Sequence, residues 1–206
     1  VPKHNTLAAY HKSLDPSNGS YESQNPELYK PVKAVYLDGV LQSHSHGDAG
    51  YHESLVHPGL FSHPNPKRVG IIGGGEGATL REVLKHDTVE KCIMIEIDEL
   101  MVMKSREFLE EWSDCSDIVG SADWCVEDER ADVRFEDAVA WFVNRFGEDD
   151  SEDEESEEEE EEYDEDEYKK FDVIIMDALD PQVKIPFAEV LYQDPTFLTS
   201  LYNAMT

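Results

Sequence analysis

The chain has 206 residues, enough for one sizeable α/β domain, and a formal net charge of −30. An acidic segment, Glu148–Glu167, holds 17 of the 47 acidic residues, which leaves 30 acids against 17 bases, or about −13, for the rest. A body this acidic argues against nucleic-acid or anionic-membrane partners, which need clustered Lys and Arg, and it suits cationic ligands.

The three cysteines, Cys92, Cys115 and Cys125, are few and form no CxxC pair, which favours a reducing, cytoplasmic compartment. No apolar run approaches the ~18 residues of a membrane-spanning helix, so no membrane association is expected. The chain begins with Val1 and stops soon after a predicted helix. We therefore expect a fragment that lacks the C-terminal strands of its domain.

Residues 1–66 predict an N-terminal region. Residues 1–32 are polar and weakly periodic, which is typical of a poorly structured lead-in. Lys33–Gln42 predicts a β-hairpin that turns at Asp38-Gly39, a strong short-range turn signal. Tyr51–Leu60 follows as a short predicted helix.

Residues 67–206 predict a second domain in which strands and helices alternate. The predicted strands are Arg68–Ile72, Cys92–Ile97, Asp132–Phe135 and Phe171–Met176, and the predicted helices are Ala78–His86, Leu100–Glu111, Ala138–Phe146 and Pro195–Ala204. Short apolar runs that alternate with helices indicate a parallel sheet covered on both faces. The predicted fold class is therefore α/β, doubly wound and Rossmann-like as in class I methyltransferases, with ligands at the C-terminal ends of the strands.

The acidic segment interrupts this second domain between a predicted helix and a predicted strand. A block of like charge with almost no apolar residues cannot offset its ordering entropy, so we expect a disordered insertion. An acidic tether for basic partners is the alternative interpretation.

The glycine-rich turn Gly73-Gly74-Gly75-Glu76-Gly77 contains the most informative residue of the chain, Glu76. Turns of this kind join a buried strand to a helix N-terminus, where free amides and the helix dipole favour anions. A carboxylate there repels a pyrophosphate or an amino-acid carboxylate and attracts a cation. The turn therefore predicts a nucleoside-type ligand with a positively charged tail.

Acidic residues also follow the next two predicted strands. Glu96 ends a strand about 20 residues past the glycine turn, where an acid accepts hydrogen bonds from both ribose hydroxyls. A solvent-facing acid is the alternative for Glu96. Asp98 predicts a helix N-cap, and Asp137 is either an N-cap, an acceptor for the amino group of a base, or both.

Asp177 and Asp180 follow the last predicted strand directly and precede Pro181. Two acids three residues apart at a strand end can bind a polyamine, and one can remove the proton that an attacking ammonium must lose. An Asp-Pro turn with a helix cap is the alternative interpretation.

Five histidines lie close together in the sequence: His44, His46, His52, His57 and His63. No carboxylate completes a convincing ligand set with them, so no metal is expected.

Five motifs, taken in order, resemble those of the aminopropyltransferases, namely the spermidine, spermine and thermospermine synthases. They are Tyr36–Gln42, Tyr51–Pro58, His63–Pro66, Gly73–Gly77 and Asp177-x-x-Asp180-Pro181. The resemblance runs from about Lys33 to the end of the chain and is broken by the acidic segment. Several ordered motifs make it more specific than a lone glycine pattern.

The resemblance implies that an aminopropyl group moves from decarboxylated S-adenosylmethionine to a polyamine, with release of methylthioadenosine. The donor is then a co-substrate, and no tightly bound cofactor is expected. The donor-binding residues implied by the resemblance are Gln42, Gly73, Gly75, Glu76, Glu96 and Asp137. Among them, Glu96 holds the ribose, Asp137 faces the adenine and Glu76 meets the aminopropyl ammonium.

On the acceptor side, the resemblance makes Asp177 the group that deprotonates or orients the attacking amine, helped by Tyr51. Asp180 and His52 line the polyamine path. The resemblance also implies a homo-oligomer, either a dimer or a tetramer.

Two positions bear on the choice of acceptor. Many spermidine and spermine synthases have Asp in the glycine turn and Gln after the tyrosine, whereas this chain has Glu76 and His52. That combination resembles thermospermine synthases and some broad-specificity prokaryotic enzymes, and it shifts the expected acceptor toward a longer amine such as spermidine. Glu136-Asp137 departs from the Gly-Asp that the family often has.

Three other functions compete with this interpretation. An N-methyltransferase that uses S-adenosylmethionine itself would bring a methionine carboxylate against Glu76. An NAD-dependent oxidoreductase would bring a pyrophosphate to the same carboxylate. A non-catalytic binding domain would retain the fold without the chemistry, yet Glu76, Asp177 and Asp180 are intact.

Overall fold

The computed structural model describes residues 32–37, 39–147, 168–178 and 186–206. The predicted lead-in and the acidic segment lie outside the described residues. The chain divides into two compact units, Val1–His46 and Gly47–Thr206. The boundary at residue 66 stays a prediction. The helix Asp48–Ser62 belongs to the second of these units, because it buries Val56 and Leu60 in that unit's core.

The first unit contains the predicted hairpin. Strand β1 (Ala34–Leu37) pairs antiparallel with β2 (Val40–His44), and the register shifts between Val35 and Tyr36. At the open end, the backbone N–H of Lys33 donates to Ser45 Oγ at 3.2 Å. The hairpin prediction is confirmed.

The second unit is built on a four-stranded parallel sheet. Its strands are β3 (Arg68–Gly73), β4 (Lys91–Glu96), β5 (Ala131–Phe135) and β6 (Val173–Asp177), in the order β5-β4-β3-β6. The order reverses at β3, because β4 and β5 extend to one side and β6 returns to the other. Ligands of open α/β sheets bind at such a switch point. The predicted parallel α/β architecture is confirmed.

Helices cover both faces of this sheet. The helices on one face are α1 (Asp48–Ser62), α2 (Ala78–Leu84) and α3 (Glu99–Phe108), and those on the other are α4 (Ala138–Phe146), α5 (Pro186–Gln193) and α6 (Pro195–Asn203). In β4, Cys92 and Met94 enter the first core while Ile93 and Ile95 enter the second. Both faces of the central strands are therefore apolar, as a doubly covered parallel sheet requires.

The structure adds elements that the sequence pattern does not predict. Helix α5 was not expected, because its eight residues run into Asp194 and Pro195, which signal the start of α6. Helix α3 ends at Phe108 rather than Glu111, and Glu110–Trp112 forms a 3₁₀ turn that buries Trp112 completely. Such tight turns commonly finish a helix.

A disulfide joins Cys115 and Cys125 in the connection between α3 and β5. Both residues are fully buried, and the backbone N–H of Cys125 donates to the Ser113 carbonyl at 3.0 Å. The sequence offered no cysteine motif for this bond, because the pairing depends on how the connection folds back on itself. The third cysteine, Cys92, is free and buried, and burial raises the pKa of its thiol.

Across the described residues, the helices include none with the length and apolar character needed to cross a membrane.

The ends of β3 and β6 lie so close together that no side chain fits at Gly73. Gly73 lies opposite Asp177 in the register, and the N–H of Gly74 donates to the Asp177 carbonyl at 2.9 Å. Gly73 has a φ of +82°, and a Cβ added there would lie 2.3 Å from the Asp177 carbonyl oxygen. Position 73 therefore needs glycine for both its backbone conformation and its close contact.

We expect Gly73→Ala to lower the free energy of unfolding by about 3 kcal/mol or more, because strain and a backbone clash add. Gly120→Ala is the matched control: its φ is +87°, but nothing lies within 4 Å of an added Cβ. It should cost about 1 kcal/mol. Chemical denaturation of both variants checks this, and equal losses would show that the Asp177 carbonyl moves aside easily.

Candidate active site

The carboxyl ends of three neighbouring strands bring polar side chains to one edge of the sheet. Glu76 lies in the turn after β3, Glu96 ends β4 and Asp177 ends β6. His52 of α1 and Thr79 of α2 complete this group, called here the strand-end cluster. The elements that carry these residues pack into one compact unit, so the fold determines their spacing.

Glu96 is held by the main chain around the glycine turn. Its side chain is buried, and its Oε1 accepts from the N–H of Asp98 at 2.9 Å. Gly75 passes so close that an added Cβ would lie 2.8 Å from Glu96 Oε2. Burial raises the pKa of Glu96, although the N–H groups of Asp98, Gly75 and Ile97 favour its charged form. The result is a rigid acceptor facing the turn, suited to ligand hydroxyls.

Glu76 projects from the glycine turn toward α1. Its Oε1 lies 3.1 Å from Nε2 of His52, and the imidazole is fully buried. The other ring nitrogen, Nδ1, lies 2.7 Å from the Asp48 carbonyl oxygen. Burial alone would lower the pKa of His52, but Glu76, Asp177 and the Asp48 carbonyl together raise it. A cationic imidazole is therefore favoured beside Glu76.

Asp177 faces the same turn from β6. Its Oδ2 accepts a hydrogen bond from the hydroxyl of Thr79 at 2.6 Å, and Thr79 is fully buried. Short contacts of this kind are typical of hydrogen bonds to charged acceptors. Thr79 thereby holds one oxygen of the carboxylate in a defined position.

Arg81 secures α1 against α2 and the connection after α3. Its guanidinium donates to the carboxylate of Asp48 at 3.3 Å and to the carbonyls of Glu111 and Trp112 at 2.9 and 3.0 Å. Because Asp48 begins α1 and its carbonyl also meets His52, this network sets where His52 stands relative to Glu76.

Asp98 and Asp137 are helix N-caps. Asp98 accepts from the N–H of Met101 at 3.1 Å, and Asp137 accepts from Val139 and Ala140 at 2.9 and 3.3 Å. The capping predictions are confirmed for both residues. Asp137 is exposed beyond the end of β5, so capping leaves it accessible to a ligand.

The other predicted site residues are placed differently. Tyr51 is about half exposed, and its ring meets that of His52 edge to face with centroids 4.9 Å apart. Gln42 lies on β2 in the first compact unit, where its amide donates to the Val40 carbonyl at 3.3 Å. Asp180 lies outside the described residues.

Two residues of this region, Thr79 and Arg81, were not predicted from the sequence. A usable signal existed for Thr79, because a polar β-branched residue in the first turn after a glycine loop faces the strand ends. Arg81 gave no such signal, since its partners Asp48, Glu111 and Trp112 are all about 30 residues away in sequence.

The histidines of α1 have separate partners. His57 Nδ1 lies 2.9 Å from His86 Nε2, and its Nε2 lies 3.3 Å from the buried Glu82 carboxylate. Within the part of the chain that the structure describes, no group of three or more His, Cys, Asp or Glu side chains is arranged to hold a metal ion.

The known proteins that this chain resembles belong to one family. Residues 48–206 match the family model of the spermine/spermidine synthase domain. The polyamine aminopropyltransferase of Thermococcus onnurineus is 40% identical over 176 residues, which cover 83% of this chain and 51% of that protein. The polyamine aminopropyltransferase 1 of Hyperthermus butylicus is 44% identical over 151 residues, 72% of this chain and 41% of that protein.

Solved structures agree with these relatives. The spermidine synthase of Thermotoga maritima superposes with a TM-score of 0.58 at 31% identity, covering 84% of this chain and 45% of that one. A spermidine synthase in complex with the transition-state analogue AdoDATO gives 0.61 at 33% identity, covering 84% and 47%. The chain therefore spans about half the length of the proteins it matches.

We expect the Thr79–Asp177 hydrogen bond to be measurable as a coupling energy. Thr79→Val keeps the side-chain shape but removes the donor, and Asp177→Ala removes the acceptor. A double-mutant cycle by chemical denaturation should give a coupling of about 2 kcal/mol, as for a hydrogen bond to a charged group. Thr79→Ser, which keeps the hydroxyl, should retain most of it. A coupling below about 0.4 kcal/mol would contradict the contact.

Proposed function

Because the chain belongs to the spermine/spermidine synthase family, we propose that the full-length protein transfers the aminopropyl group of decarboxylated S-adenosylmethionine to a polyamine amine, releasing methylthioadenosine. The observation that carries this proposal is Glu76. It places a carboxylate at a turn where a helix N-terminus ordinarily attracts an anion. A donor whose tail ends in an ammonium suits that carboxylate, whereas a tail with its own carboxylate does not.

In the proposed donor complex, the residues around the turn contact different parts of the donor. Glu96 accepts from the ribose hydroxyls, supported by its rigid main-chain partners. Gly73 and Gly75 let the nucleoside approach the backbone, and Asp137 accepts from the adenine amino group while it caps α4. Gln42 is proposed to hold the nucleoside from the hairpin.

The proposed chemistry is an in-line displacement at carbon. The acceptor amine forms a C–N bond to the aminopropyl carbon as the C–S bond breaks, and the sulfonium leaves as a neutral thioether. Asp177 takes the proton that the acceptor ammonium must lose, with its carboxylate oriented by Thr79. Tyr51 assists it, and Asp180 and His52 line the polyamine path. Alignment and this one deprotonation supply the catalysis, without a bound metal or a covalent enzyme intermediate.

The proposed acceptor is spermidine, and the product a tetraamine of the thermospermine or spermine type. Support comes from the combination of Glu76 and His52, which resembles that of thermospermine synthases and some broad-specificity prokaryotic enzymes. Conversion of putrescine to spermidine is the alternative within the same reaction. The acidic surface should also concentrate polycationic acceptors, an effect that salt weakens.

The remaining features of the proposal concern the whole protein. We propose a homo-oligomer, dimer or tetramer, with no tightly bound cofactor. A cytoplasmic location is also part of the proposal.

The first experiment identifies the product. The full-length protein is incubated with decarboxylated S-adenosylmethionine and, in parallel, with S-adenosylmethionine, each with putrescine, spermidine or agmatine. We expect mass spectrometry to show methylthioadenosine and a tetraamine from the decarboxylated donor with spermidine. A methylated amine formed from S-adenosylmethionine would contradict the proposal. Ligand binding without turnover would favour a non-catalytic domain.

The second experiment tests the proposed base. Asp177→Asn should lower kcat about 100-fold or more, because the amide cannot accept the proton, while the donor KM changes little. Asp172→Asn is the matched control at the opposite end of β6, where the carboxylate accepts from the backbone N–H groups of Lys67 and Arg68. It should retain near-parental kcat. An active Asp177→Asn enzyme would refute the assignment.

A further inference from the structure

One ring nitrogen of His52, Nδ1, keeps its hydrogen in both charge states of the imidazole because its partner can only accept a hydrogen bond. Nδ1 lies 2.7 Å from the backbone carbonyl oxygen of Asp48, one helical turn earlier in α1. A carbonyl oxygen only accepts hydrogen bonds, so Nδ1 carries a hydrogen whatever the charge of the ring. Any gain or loss of a proton by His52 therefore takes place at Nε2.

Nε2 faces Glu76 in the glycine turn. It lies 3.1 Å from Glu76 Oε1, at the distance of an ion pair but without the alignment of a hydrogen bond. Among the described residues, no other group offers this fully buried nitrogen an aligned hydrogen bond. A buried polar atom in this state needs an explanation, and a cationic ligand group that binds beside Glu76 would supply one.

The charges around His52 favour a bound proton. Glu76 faces Nε2 from the glycine turn, and Asp177 acts on the ring from β6. The carboxylate of Asp48 is occupied by Arg81, and Tyr51 contacts the ring through its edge. Burial opposes the charge, yet Glu76, Asp177 and the Asp48 carbonyl together raise the pKa of His52 above its ordinary value.

We propose that His52 and Glu76 hold one proton between them in the free protein, and that the aminopropyl ammonium of the donor replaces it. This inference rests on the proposed function. In the free protein, the proton sits on Nε2 as the partner of the Glu76 carboxylate. When the donor binds, its ammonium donates one hydrogen to Glu76 and another to the Nε2 lone pair, and the Nε2 proton leaves to solvent. The positive charge of the donor ammonium thus takes the place of the imidazolium charge beside Glu76.

The exchange gives His52 a role in donor recognition. A neutral imidazole with its hydrogen on Nδ1 presents Nε2 as an acceptor, which an ammonium with three donors can use alongside a carboxylate. A glutamine at the same position would offer a carbonyl oxygen to the ammonium with no proton to release. Histidine thus makes donor binding depend on pH where glutamine would not.

The direction of that dependence follows from competition with the proton. Below the raised pKa of His52, the proton must be removed before the ammonium can bind, so the donor Kd should rise by up to about tenfold per unit of pH lowered. Above that pKa, the site is already free of the proton, and the Kd should level off.

Calorimetry of the full-length protein tests the exchange directly. Decarboxylated S-adenosylmethionine is titrated at about pH 6.5, the ordinary pKa of histidine, in buffers of different ionisation enthalpy. The slope of the observed enthalpy against the buffer enthalpy counts the protons released. We expect a value between one half and one, because a pKa raised above 6.5 leaves His52 more than half protonated at this pH. Methylthioadenosine, which lacks the ammonium, should bind with no such release.

Two variants assign the proton to its residue. His52→Gln should abolish the release and flatten the pH dependence of the Kd, while donor binding persists. His63→Gln makes the same substitution just past the other end of α1, where the imidazole lies 3.9 Å from Asp172. Donor binding to His63→Gln should release as many protons as donor binding to the parent protein.

The outcomes separate this inference from the function on which it rests. Donor binding without proton release, or a release that survives in His52→Gln, overturns the exchange and leaves the aminopropyl reaction untouched. Failure to bind the decarboxylated donor at all overturns the proposed function and the exchange together.

Discussion

The close approach of two backbones at the switch point constrains the rest of the site. The end of β3 meets the end of β6 through the Gly74 N–H and the Asp177 carbonyl, 2.9 Å apart, with no room for a side chain at Gly73. This contact turns the chain sharply into α2. One backbone contact thus sets the glycine turn with Glu76, the first turn of α2 with Thr79, and the position of the Asp177 side chain.

The second constraint is electrostatic. A doubly covered sheet leaves its strand ends poorly hydrated, so carboxylates gathered there need donors or cations to offset the cost of burial. Main-chain N–H groups donate to Glu96, and the Thr79 hydroxyl donates to Asp177. The His52 imidazole lies at ion-pair distance from Glu76. Arg81 binds the Asp48 carboxylate and the connection after α3, which keeps α1 and its histidine against the turn. The site therefore depends on helix packing as much as on the loop.

Much of the fold could be predicted from local pattern. The apolar runs of β3, β4 and β6 alternate with amphipathic helices, and the Asp38-Gly39 turn marks the hairpin, so strand and helix identities follow from the neighbouring residues. Helix α5 escaped prediction because its short apolar stretch merges with the start signal of α6. The Cys115–Cys125 bond escaped because the pairing depends on a ten-residue connection folding back on itself.

The sequence by itself determined the α/β class, the glycine turn with its carboxylate, the acids that end the strands, and the family that these motifs resemble. Those features reside in residue type and spacing along the chain. Only the tertiary structure decided that His52 is buried against Glu76, that Thr79 donates to Asp177 and that Arg81 joins α1 to α2. These three contacts join residues that are 24, 98 and 33 positions apart in the sequence, respectively. Their geometry depends on how the helices pack on the sheet. No local pattern encodes that packing, because it results from the fit of many apolar side chains at once.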